Sequence, residues 1–136
     1  MNETFIAPAK QLSVALQAFH RALIRAEIGD DPALQNPYTQ LFALIGDPRF
    51  AWMGAISQLI ARIDHSVVEG ELAEPDVLAG FHRDAAALLG EGDGDIDSQF
   101  RLRHLIALQN EPEVGLVTGR LRNALAAVGA AIGDDQ

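Results

Sequence analysis

The chain has 136 residues, the length of one domain, with 49% apolar and 21% charged residues, which is globular usage and not that of a disordered segment. It contains no cysteine, so it can build no disulfide, thiolate nucleophile or sulfur-ligated metal site. The net charge of −9 is concentrated between residues 69 and 97, where nine acids stand against Arg83 alone. That surface repels phosphate backbones, so no nucleic-acid partner is expected, and the acidic run reads as a solvated face.

The N-terminus Met1-Asn2-Glu3-Thr4 has no basic start leading into an apolar run, and the longest apolar stretches are broken by charge. Neither a secretory leader nor a membrane span is expected, which places the chain in the cytoplasm.

Helix punctuation recurs along the chain. Pro8 suits the first position of a helix, and Leu12, Ala15, Leu16, Phe19, Leu23 and Ala26 follow at spacings of three and four before Gly29. Asp30-Asp31-Pro32 is a turn. Asn36-Pro37 starts a short helix carrying Tyr38, Leu41, Phe42 and Ile45, which Gly46 ends. Asp47-Pro48 starts the next, expected to run unbroken to about Val68. Glu74-Pro75 opens a helix with Val77, Leu78, Phe81, Ala85 and Leu88 as its stripe. The glycines and acids from Glu91 to Asp95 make a loop, and Asp95 or Asp97 caps the following helix. The apolar residues of that helix (Phe100, Leu102, Leu105, Ile106, Leu108) point in several directions, as if packed on more than one side. Asn110-Glu111-Pro112-Glu113 resembles a capping box before Val114, Val117, Leu121, Leu125, Val128 and Ile132. No strand alternation and no repeat is found. The expectation is an all-α bundle of five to six mostly antiparallel helices with short loops, one domain over 1–136 with flexible ends at about 1–6 and 133–136.

Few residues point to chemistry. Asp64 lies near Ile60, Ile63 and Val67 on the apolar side of its helix, so a buried carboxylate is expected, partnered by Arg101, Arg103, His104 or a backbone N–H pair at a helix start, as a core ion pair or as a pocket group holding a ligand. Tyr38, Phe42, Phe50 and Trp52 cluster at a helix junction, where aromatic residues are normally core, with a ligand cleft as the other reading. The four histidines sit on four helices without Glu-x-x-His or His-x-x-His spacing, and no metal or cofactor is expected. Asp93-x-Asp95-x-Asp97 begins like a calcium loop, but Ser98 and His104 occupy the positions that need Gly and Glu. Phosphate-loop and nucleophile-elbow signatures are absent, and no serine is paired with a histidine by a known pattern.

Two features point to a partner. Ile6, Val14, Ile24 and Ile28 form a second apolar set on the first helix, either packed under a neighbour or part of an interface. Gly115 and Gly119, with Gly129 and Gly133, give the last helix a small-residue side, suited to close packing within the fold or to a homodimer seam. The stretch from Trp52 to Asp64 resembles small helical proteins of bacteria, a likeness that implies no mechanism.

The leading expectation is a non-enzymatic helical bundle that self-associates, as a dimer first, or docks to another protein, with Val14, Ile24, Ile28, Gly115 and Gly119 as interface candidates. The alternative is a small-molecule binding protein with a pocket near Trp52, Asp64, Arg101 and His104. An enzyme using Asp, Glu, His and Arg residues assembled in space stands third.

Overall fold

A computed structural model of the protein describes residues 3–89 and 98–133. Every element in that range is helical: α1 (Glu3–Ile28), α2 (Pro37–Gly46), the single turn α3 (Pro48–Ala51), α4 (Gly54–Val68), α5 (Pro75–Leu88), α6 (Ser98–Asn110) and α7 (Pro112–Gly133), with a 3-10 turn at Pro32–Leu34. None of these helices is long and apolar enough to cross a membrane.

Helices α1 and α7 form the central pair. They run antiparallel, since Arg25 near the end of α1 makes a two-pronged ion pair with Glu113 at the start of α7, at 2.7 and 2.8 Å. The i, i+4, i+7 spacing turns Leu12, Leu16, Phe19 and Leu23 of α1 onto Val114, Val117, Leu121 and Val128 of α7, all buried. Helix α4 adds Ile56, Leu59 and Ile63, and α5 adds Leu78, Phe81 and Ala85. The Arg62 guanidinium pairs with Asp84 and lies 5.8 Å from the Phe81 ring, tying α4 to α5. Gly29 and Gly70 adopt positive φ where α1 and α4 end, a conformation open to glycine.

Several expectations need correction. Helix α1 begins at Glu3, so Pro8 lies inside it and residues 3–6 are helical. Only one carbonyl loses its intrahelical partner to a proline so near the start, and burial of Phe5 and Ala9 on either side of it holds the extra turn. The expected helix from Pro48 to Val68 is broken at Trp52-Met53. There the bonds run i to i−3, from Met53 N–H to the Phe50 carbonyl and from Ile56 N–H to the Met53 carbonyl. The bend lets Met53 enter the core and sends Trp52 toward α1.

The start of α7 is one residue later than the capping-box reading. Asn110 is the last residue of α6, and the Glu111 carboxylate accepts the Glu113 N–H at 3.4 Å, leaving the Glu113 side chain to Arg25. Helix α6 buries one face alone, Phe100, His104 and Ala107, and leaves Leu102, Leu105 and Ile106 exposed. Among the described residues it is packed on that one side, not on several. The calcium-like run from Asp93 to Asp97, with its N-cap candidates Asp95 and Asp97, lies outside the described residues.

Candidate functional site

Helix α2 touches α3 and the 3-10 turn but buries none of its own side chains. Its start is well made: Pro37 fills the first helical position, and the Asn36 side chain accepts the N–H groups of Tyr38 at 2.8 Å and Thr39 at 3.4 Å. Gln40 donates to the Leu34 carbonyl at 2.6 Å, anchoring the helix to the turn before it. Yet α2 has no buried residue. Tyr38, Leu41, Phe42 and Ile45 are 75%, 54%, 72% and 77% exposed. Their i, i+3, i+4, i+7 spacing sets them on one face, and that face looks into solvent. The aromatic cluster expected as core therefore divides. Phe50 is buried and Trp52 packs on the core, whereas Tyr38 and Phe42 stand outside it.

The expected pocket near Trp52 and Asp64 is not assembled. The Trp52 indole N–H donates to Glu27 at 3.3 Å, and its ring meets Phe100 edge-on at 5.2 Å. The cavity beside it, lined also by Leu23, Arg103 and Ala107, is about 50 Å³, space for a water molecule or two and no metabolite. Asp64 lies about 15 Å along α4 from Gly54, and it is exposed rather than buried. Its partner is the buried Ser13 hydroxyl, which donates to it at 2.6 Å and in turn accepts from Gln17 at 3.1 Å. Arg103 comes within 3.9 Å of Glu27, and Arg101 is exposed. His104 is a core residue, packed edge-on against Phe19 at 5.2 Å and near Phe100. Among the described residues Asp64 forms no ion pair with these α6 residues, so the expected core ion pair is absent.

One pairing had no sequence signature. Ser57 Oγ lies 3.5 Å from His20 Nε2, beside a hollow of about 260 Å³ lined by Leu44, Ile45, Phe50 and Met53. That separation is beyond an ordinary hydrogen bond. Among the described residues no carboxylate bonds to the His20 ring to orient it, so the arrangement lacks the third member of a nucleophilic triad. Burial holds the His20 imidazole below its ordinary pKa, which favours the neutral ring. Among the described residues no three His, Asp or Glu side chains gather as a metal site requires.

The interface candidates separate into two groups. Ile24 and Ile28 are half-buried and pack against the core, as does Ile6. Val14 is 64% exposed and lines an open trough between α1 and α7. Gly115 and Gly119 are not close-packed against any described residue. A Cβ on Gly115 would meet Leu108 at 4.0 Å, and one on Gly119 would meet nothing within 4 Å.

Comparison with models of protein families, with curated proteins and with solved structures finds no match to this chain.

Proposed function

We propose that this is an interaction protein without catalytic activity, a helical bundle that self-associates through α2. The observation behind the reading is the bare face of Tyr38, Leu41, Phe42 and Ile45 on a helix with no buried residue of its own. A helix of 10 residues is shorter than the roughly 12–15 that an isolated helix needs for even marginal stability in water. Its support has to come from packing, and among the described residues nothing covers its apolar face. Fully burying such side chains contributes roughly 1.5–3 kcal/mol each, which a partner would supply.

A second copy suits this face because α2, Pro37-Tyr38-Thr39-Gln40-Leu41-Phe42-Ala43-Leu44-Ile45-Gly46, carries no charged side chain. Two copies related by a twofold axis can bring α2 against α2 without like-charge repulsion. The thermal midpoint of the wild-type protein is expected to rise with protein concentration, because the associated form is stabilised by mass action. An Ile45→Asp variant is expected to have a midpoint independent of concentration. A wild-type midpoint that does not move over a hundredfold dilution range contradicts the reading.

A further inference from the structure

We infer that the trough between α1 and α7 is a second, heterotypic docking site, shaped and charged to take an acidic amphipathic helix of another protein. The trough has a volume of about 490 Å³, with a floor of Val14, Ala15, Ala18 and Ala124 and with Lys10 and Arg120 on its rims. The alanines keep the floor low, so a third helix can settle between the two already present, its ridge of larger side chains in the groove. Leu116, 67% exposed, stands one helical turn before Arg120 and extends the apolar surface.

Charge decides what kind of helix. From Phe5 to Ala26 and from Val114 to Gly133 the sequence contains no Asp or Glu, although the whole chain carries −9. The cations there are Lys10, Arg21, Arg25, Arg120 and Arg122. Arg25 is engaged by Glu113. Lys10, Arg21 and Arg120 form no ion pair with any described residue. A ligand with an apolar ridge flanked by carboxylates would satisfy floor and rims together through charge-assisted hydrogen bonds.

Other occupants fit less well. A second copy meeting this face across a twofold axis would set the Lys10 and Arg120 rims against their like, the reverse of the uncharged α2. A small amphiphile would remain half in water, since the trough is open along its length and Val14 stays 64% exposed. An anionic membrane would be repelled by the remainder of a chain with net charge −9.

The test uses fluorescence anisotropy with the full chain and a labelled synthetic helix of three heptads, Leu and Ala at the a and d positions and Glu at b, e and g. A second peptide has Lys for every Glu. The Glu peptide is expected to bind wild-type protein and to lose at least tenfold in affinity on the double variant Lys10→Glu/Arg120→Glu. The Lys peptide is expected to show the reverse preference. Both substitutions are at exposed positions away from α2, so failure here leaves the self-association reading standing, and failure there leaves this one. The proposal is overturned if the Glu peptide does not bind or binds both proteins equally. Release of bound Glu peptide by phosphatidylglycerol vesicles, through vesicle binding that the same double variant abolishes, overturns it in favour of a membrane surface. A loss of wild-type oligomeric mass on Val14→Asp overturns it in favour of a second copy.

Discussion

His104 donates its Nε2 proton to Thr118 Oγ1 at 3.1 Å, and the direction of that bond follows from the next one. The Thr118 hydroxyl has a single proton, which it gives to the Val114 carbonyl at 2.7 Å. Its oxygen can then only accept from the ring, so the buried imidazole carries hydrogen on Nε2. The ring is 6% exposed and packs between Phe19 and Phe100. Replacing Thr118 with Val is expected to cost about 1–3 kcal/mol, the penalty of an orphaned buried donor. Thr118→Ser, which keeps the acceptor, is expected to cost less. Urea unfolding of the two variants beside the wild type measures the difference.

The same ring makes stability depend on pH. Burial holds His104 below its ordinary pKa, with the nearby Arg122 cation acting in the same direction, and burial does the same to His20. A histidine depressed in the fold takes up its proton in the unfolded chain first. Its contribution to stability is therefore intact above about 6.5 and is lost as pH falls from there through the folded-state values. Unfolding free energy is expected to drop between pH 7.5 and 5.5, and the drop is expected to be smaller in His104→Leu. An unchanged slope in that variant would remove His104 from the account.

Asp64 accepts the proton of the buried Ser13 hydroxyl at 2.6 Å, tying α4 to α1. Asn at position 64 keeps an acceptor oxygen for the Ser13 hydroxyl, whereas Ala removes it. Asp64→Ala is expected to cost about 1 kcal/mol and Asp64→Asn less, read by chemical denaturation. A loss above about 3 kcal/mol in Asp64→Asn would mean the carboxylate is part of a buried charge network after all.

Gly119 offers a test of the small-residue side of α7. No described residue lies within 4 Å of where its Cβ would be, so alanine there should raise stability by up to about 1 kcal/mol through helix propensity alone. A fall in the thermal midpoint of Gly119→Ala would show that another backbone approaches this position.

How far the sequence carries depends on whether a signal is local. Helix starts at Asn36-Pro37 and Glu74-Pro75 and the all-α class follow from caps, prolines and periodicity, and the structure has them. Periodicity says that a helix has an apolar face but not what covers it. Tyr38, Leu41, Phe42 and Ile45 have the spacing of a core stripe and yet face solvent. Asp64 is a matter of width: α4 buries the narrow line of Ile56, Leu59 and Ile63, so a residue one step from Ile63 falls on its edge, within reach of Ser13. By position His104 reads as a pocket residue beside Arg101 and Arg103. Its partner Thr118 lies on the next helix, a pairing with no one-dimensional signature.

Sedimentation equilibrium at low micromolar concentration tests the central claim most directly, with wild type run beside Phe42→Asp/Ile45→Asp. Both substituted side chains are exposed in the protomer, so the variant is expected to keep its helical circular dichroism. The account predicts twice the 14.6 kDa chain mass for the wild type and a single chain for the variant. A wild type that sediments as a single chain, or a variant that remains a dimer, would contradict it.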